Sequence, residues 1–166
     1  MENDALRAVY EKYQRGLFLY LYSLCKNRSL AEDLVQETFL KALLSLPGGH
    51  PNLKAWLYLV ARNLYFNLCR SEKRLTPLDD VEADLRTDQT PLDDLLLTER
   101  SRVLYKALSE LSEQKREVLQ MQYFGGLSQK EIASVLHLTP ENVRVLAWRG
   151  KKELKSRLED KGYDLP

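Results

Sequence analysis

The stretch Gly126–Leu158, GLSQKEIASVLHLTPENVRVLAWRGKKELKSRL, decides the fold of this chain. Ser128 followed three residues later by Glu131 forms a capping box, so a helix starts directly after the serine. Ile132, Ala133, Val135 and Leu136 supply its apolar side, and the small Ala133 lets a second helix cross closely. Leu138-Thr139-Pro140 is the turn, with Thr139 as cap and Pro140 at the first helical position, where a missing N–H is tolerated. The second helix is expected to bury Val143, Leu146, Ala147 and Leu154. That leaves Glu141, Asn142, Arg144, Val145, Trp148, Arg149, Lys151, Lys152 and Lys155 outside. Capping box, tight turn, proline start and one-sided cations together read as a helix-turn-helix whose second helix fits the major groove of DNA. Arg144 and Arg149 then grip guanine or phosphate, and the lysines contact phosphate. The plainer alternative is one more amphipathic helix with a solvated basic face.

This cationic end belongs to a chain of 166 residues with 25 basic and 24 acidic side chains, a formal charge of +1. The charge is segregated rather than absent. Between residues 75 and 94 stand Asp79, Asp80, Glu82, Asp84, Asp88, Asp93 and Asp94 against the single Arg86, with Thr-Pro twice and no helical stripe. The composition predicts a flexible acidic linker between two helical domains.

Upstream of the linker the rhythm is also helical. Leu6, Val9, Tyr10, Tyr13, Leu17, Leu21 and Leu24 line a helix running to about Cys25. After Lys26-Asn27-Arg28, Ser29 can cap a second helix with the stripe Leu30, Leu34, Val35, Thr38, Phe39, Ala42 and Leu43. Pro47, Gly48, Gly49 and Pro51 force a loop. A third helix starts near Asn52, presents Leu53, Leu57, Val60, Leu64 and Leu68 to a core, and becomes cationic toward its end. Beyond the linker, the rhythm resumes at Leu95, with Val103, Leu104, Ala107, Leu108 and Leu111 on one face. Ser112 and Lys115 begin a short helix carrying Val118, Leu119 and Tyr123, which Gly125-Gly126 ends. The predicted fold class is all-α, two small helical domains.

Several function classes fall away. No apolar run approaches the roughly 18 residues of a membrane span, and the N-terminus lacks a signal-peptide layout, so a cytoplasmic location is expected. Cys25, Cys69, His50 and His137 do not make the close set of about four ligands that zinc needs, so no metal is expected. Both cysteines read as reduced packing residues, a regulatory disulfide being the alternative. No phosphate-binding glycine loop or nucleophile-base pair appears, so neither cofactor, small-molecule substrate nor enzymatic activity is expected.

Three blocks in series resemble the extracytoplasmic-function (ECF, group 4) sigma factors of bacterial RNA polymerase, in the sigma-70 family. AEDLVQETFLKAL, Ala31–Leu43, resembles region 2.2, and LKAWLYLVARNLYFNLCRSEKR, Leu53–Arg74, resembles regions 2.3 and 2.4. LSELSEQKREVLQMQYFGGLSQKEIASVLHLTPENVRVLAWRGKKELK, Leu108–Lys155, resembles region 4. The resemblance implies region 2 over residues 1–74, the linker over 75–94 and region 4 over 95–166.

It further implies a subunit that joins core RNA polymerase and directs initiation at promoters. Glu32, Asp33, Gln36, Glu37 and Lys41 would dock on the clamp helices of the beta-prime subunit, and region 4 would meet the beta flap. Asn63 would read a flipped base of the minus-10 element beside Trp56, with loop 46–52 as pocket wall; for Trp56 core packing is the competing role. Arg62, Phe66, Arg70, Lys73 and Arg74 would hold the strand, whereas Tyr58 and Tyr65 read as surface or packing residues. Asn142, Arg144, Val145, Trp148, Arg149 and Lys152 would read the minus-35 element, unless Trp148 instead staples its helix to Tyr123 or Phe124. The linker would thread toward the RNA exit channel or serve as a plain tether. An anti-sigma factor, often membrane-bound in this family, would hold the protein inactive. The competing reading is a stand-alone helix-turn-helix regulator of duplex DNA.

Overall fold

The computed structural model describes residues 2–45, 52–75 and 99–162, apart from the side chains of residues 2, 3 and 72–75. Linker residues 76–94, the start of the expected helix at 95–98, and loop residues 46–51 lie outside that set. Among the described residues the secondary structure is entirely helical, without strands. The chain divides into two compact units, Met1–Thr90 and Pro91–Pro166.

In the first unit, α1 (Glu2–Cys25) ends where Lys26 takes the left-handed conformation, φ 55°, and its N–H donates to the Tyr22 carbonyl at 2.8 Å. This reversal carries Asn27 under the start of α2 (Arg28–Ser45). Asn27 is only 2% exposed, and its Oδ1 accepts the Leu30 N–H at 3.0 Å. The cap is therefore Asn27, and the expected cap Ser29 sits exposed inside the first turn. Asparagine caps as well as serine, and the buried position comes first in the chain. Asn27→Ala should cost about 1–2 kcal/mol and lower the thermal unfolding midpoint, while Ser29→Ala should leave it nearly unchanged.

α3 (Leu53–Leu75) completes a three-helix unit whose core holds Leu17, Tyr20 and Leu21 of α1, Leu34, Val35 and Phe39 of α2, and Leu57 and Tyr58 of α3. Tyr20 and Tyr58 pack with ring centroids 5.5 Å apart. The α3 stripe is turned from the expected one: Leu57 is buried, but Leu53, Val60, Leu64 and Leu68 are half-buried, and Ala55, Tyr58 and Ala61 are deeper. Two small alanines let α3 approach its neighbours, which places the face that carries them inward. Leu43, expected in the α2 stripe, is exposed, because Phe39 and Ala42 already occupy the core-facing side of that turn.

The second unit consists of α4 (Glu99–Ser109), α5 (Glu113–Leu119) with a π-helical turn at Gln120–Phe124, α6 (Gln129–Leu136) and α7 (Pro140–Asp160). Ser112 caps α5 by accepting the Lys115 N–H. In the π turn the Gly125 N–H reaches back five residues to the Gln120 carbonyl, 3.2 Å. The wider turn shifts the helical phase. Met121 goes fully inside, and Tyr123, expected on the same short helix as Val118 and Leu119, is exposed. Gly126 then takes φ +69°, a conformation that suits glycine, and releases the chain toward α6.

Candidate nucleic-acid interface

α6 and α7 are fixed by the signals that their sequence carries. Ser128 Oγ accepts the Glu131 N–H at 3.2 Å while Glu131 Oε1 accepts the Ser128 N–H at 2.9 Å. α6 ends at His137, φ 57°, and the Leu138 N–H returns to the Ala133 carbonyl at 3.0 Å. Thr139 Oγ1 accepts the Asn142 N–H at 3.1 Å, with Pro140 opening α7. Val143, Ala147 and Gly150 face inward along α7. Gly150 has a reason to be glycine: a Cβ there would stand 3.2 Å from Leu119 Cδ1 and 3.3 Å from Lys115 Cβ, so α7 and α5 touch closely at this point.

Beyond Gly150 an ion-pair chain ties α7 to the rest of the unit. Lys115 Nζ meets Glu153 Oε2 at 2.9 Å, Arg157 bridges Glu153 at 3.3 Å and Glu110 at 2.9 Å, and Lys161 Nζ meets Glu110 Oε1 at 3.1 Å. The hydrogen bond from Lys161 holds the Glu110 carboxyl below its usual pKa of 4.5, with Arg157 adding to it. The hydrogen bond from Lys115 does the same for Glu153, again helped by Arg157. A carboxylate with a depressed folded-state pKa stabilises the fold above its ordinary value and loses that contribution as the pH falls through the folded value. The unfolding midpoint of the protein should therefore drop as the pH is taken below 4.5, and a Glu110→Gln, Glu153→Gln double variant should show a shallower acid dependence than the parent.

The other cations of α7 are arranged differently. Arg144, Arg149, Lys151, Lys152 and Lys155 are exposed, and among the described residues no carboxylate pairs with them. Asn142 is exposed on the first turn. Val145 and Trp148 lie between the cations, 38% and 62% exposed, and Lys152 Nζ sits 5.2 Å from the centroid of the Trp148 ring. Phe124 stacks on Tyr105 at 5.9 Å instead of stapling Trp148, and Tyr123 is exposed.

A second cationic face runs along α3. The Arg62 guanidinium lies 4.9 Å from the Phe66 ring centroid, and Phe66 meets Tyr65 edge-on at 5.2 Å. Tyr65 is anchored through its hydroxyl, which donates to the Leu24 carbonyl at 3.2 Å. Asn63 is exposed beside Arg62, and Arg70 donates to Asn67 Oδ1. Trp56 is half-buried two turns before Asn63, and Tyr58 is a core residue. Lys73 and Arg74 lie on the last turn of α3, with side chains outside the described set.

On α2, Glu32, Asp33, Gln36, Glu37 and Lys41 are all exposed, Glu32 paired with Arg28 at 3.2 Å. The same helix continues outward with exposed Leu40, Leu43 and Leu44, the last 77% exposed.

Residues 9–75 match the family described as Sigma-70 region 2, and residues 101–154 match Sigma-70, region 4. The ECF RNA polymerase sigma factor SigM of Bacillus subtilis (strain 168) is 32% identical over 152 residues, which cover 89% of this chain and 91% of that protein. The chain belongs to the ECF sigma factors of the sigma-70 family. The RNA polymerase sigma factor YlaC of the same organism is 29% identical over 93% of this sigma factor and 92% of its own length. The solved sigma factor RpoE of Bartonella quintana, in complex with the anti-sigma factor NepR, shares the fold with a TM-score of 0.65 at 24% identity, over 92% of this chain and 96% of that one.

In this sigma factor the anticipated α7 residues form one exposed face, and Arg62, Asn63 and Phe66 sit together on α3. Sequence reasoning gave no role to Asn67, which accepts from Arg70, or to the exposed Leu40 and Leu44 of α2. The apolar residues crowded around Lys41, from Phe39 to Leu44, were the signal for the latter, since one helix face cannot bury all of them. It also missed Gly150, whose only trace is a glycine inside a long helical pattern. Among the described residues no group of His, Cys, Asp and Glu could hold a metal, and no helix is long and apolar enough to cross a membrane. Burial pushes the Cys25 thiol up to about 11, so it stays protonated at neutral pH, as a packing cysteine does.

Proposed function

We propose that this sigma factor binds core RNA polymerase in the cytoplasm, reads duplex minus-35 DNA with α7 and captures the opened minus-10 strand with α3. The observation that carries this is the division of charge on α7. On α7 Arg157 is held by Glu110 and Glu153, whereas Arg144, Arg149, Lys151, Lys152 and Lys155 face outward without such partners among the described residues. Outward cations on a capped helix are free to meet phosphate and base edges. On α3 the Arg62–Phe66 pair and neighbouring Asn63 offer charge, a stacking ring and a hydrogen-bonding amide, the combination that single strands need. Lys73 and Arg74, later in the same helix, would hold the same strand.

Docking on the beta-prime clamp helices falls to Glu32, Asp33, Gln36, Glu37 and Lys41, with Leu40 and Leu44 supplying apolar contact on the same side of α2. A polar rim around exposed leucines is ordinary interface chemistry. The beta flap would meet the second unit at a groove lined by Leu104, Leu108, Phe124 and Leu154, about 410 Å³ in volume. The polymerase performs the chemistry, and this chain supplies specificity without enzymatic activity of its own. An anti-sigma factor restrains it, as NepR forms a complex with RpoE.

The test is transcription in vitro with purified bacterial core polymerase and a host promoter library, mapping transcript starts with and without the protein. Protein-dependent starts downstream of two spaced elements support the proposal. Duplex binding without initiation would favour a stand-alone regulator.

A further inference from the structure

Val145 and Trp148 are out of place on a face otherwise built for phosphate. They stand three residues apart, and Lys152 follows four residues later, so the three share one stripe of α7. That stripe lies opposite the inward row Val143, Ala147, Gly150 and Leu158. With the inward row packed into the unit, Val145 and Trp148 occupy the midline of the outward face, between Arg144 on one flank and Arg149 on the other. Trp148 is 62% exposed, a large apolar surface to leave in water, and the Lys152 ammonium lies over its ring at 5.2 Å. This cation–π contact holds the indole on the helix surface and keeps a positive charge beside it for a phosphate.

In the major groove the apolar feature that distinguishes one base pair from another is the thymine C5-methyl. Arg144, Lys152 and Lys155, by reaching the phosphates, seat the midline of the helix toward the base edges, with Arg149 beside it in reach of a base. There a valine methyl and an indole have no hydrogen bond to offer or accept along most of their surface. We infer that Val145 and Trp148 are specificity-determining residues that read thymine methyl groups within the minus-35 element, an assignment that rests on α7 being the recognition helix. The indole is long enough to keep contact where α7 draws away from the groove after its first turns. Shape readout by the phosphate contacts alone would not distinguish thymine from uracil.

The experiment uses holoenzyme assembled from the full chain and bacterial core polymerase. Promoter duplexes are first selected by that holoenzyme from a library randomised at the minus-35 element, and each thymine of the selected element is then replaced singly by deoxyuridine. Removing a buried methyl group should weaken binding on the order of fourfold at one or two positions. With Trp148→Ala or Val145→Ala holoenzyme, the thymine and uracil duplexes should bind alike at the corresponding position. Both side chains lie outside the core, and an unchanged unfolding midpoint for each variant confirms that the fold is kept. Selection of a minus-35 element with no loss on any uracil duplex, or a loss that both variants retain in full, would overturn the methyl reading while leaving α7 as the recognition helix. Failure to select any minus-35 sequence would overturn both.

Discussion

Arg149→Ala is expected to reduce transcription from a promoter with a minus-35 element by roughly 5- to 150-fold, the range for removing one bidentate base contact of about 1–3 kcal/mol. Arg149 stands on the outward face of α7 one residue beyond Trp148, and its side chain contributes nothing to the core. The variant should therefore unfold at the parent temperature and bind core polymerase normally. Its defect should shrink on promoters whose minus-35 element has been scrambled, because there the parent arginine has no matching base to grip. Lys152→Ala offers a contrast: the phosphate contact it removes lowers the salt dependence of binding.

The second large effect concerns packing rather than charge. Gly150→Leu places a branched side chain where even a Cβ would approach Leu119 Cδ1 at 3.2 Å and Lys115 Cβ at 3.3 Å. The Leu119 end can yield slightly, but Leu119 is itself 1% exposed and packs with Leu108 and Leu111. Overpacking of this kind costs about 1–3 kcal/mol, enough to lower the unfolding midpoint of so small a unit by about 10 °C. The push also lengthens the reach from Lys115 to Glu153, so the variant should lose part of the acid dependence that this pair confers. Calorimetry across pH measures both. An unchanged midpoint would mean that α5 and α7 are not in the close contact described.

Both effects trace to what could and could not be read from the amino-acid order. The capping box at Ser128 and Glu131, the Thr139 cap and the Pro140 start act within four residues of chain, so their pattern is visible in the sequence and all three are present in the fold. Asn27 illustrates a competition that local rules do not decide. Asn27 and Ser29 are both competent caps, and the left-handed turn at Lys26 selects the one that is buried. The π turn after Leu119 moved Tyr123 outward for a similar reason, since one widened turn changes the phase of everything behind it.

Interactions distant in sequence left the least trace. Glu110 meets Arg157 and Lys161 only because α4 and α7 come together, and no spacing rule joins positions so far apart. The exposed leucines of α2 were hidden by their own composition, because an apolar run reads as core until the helix is seen to have a second side. The α3 face was legible as cationic, while the Arg62–Phe66 and Arg70–Asn67 pairs that organise it emerge only from the folded helix.

The central claim is that one sigma factor carries two separable readers, α7 for duplex and α3 for the opened strand. Its most direct test compares holoenzymes containing the parent, Arg149→Ala and Asn63→Ala on a fully duplex promoter and on the same promoter with its minus-10 segment pre-opened by mismatches. Asn63→Ala should bind duplex minus-35 DNA normally, form few open complexes on the duplex promoter, and recover on the pre-opened template. Arg149→Ala should stay impaired at minus-35 recognition on both. Equal rescue of both variants, or a defect of Asn63→Ala in duplex minus-35 binding, would contradict the division of labour between α3 and α7.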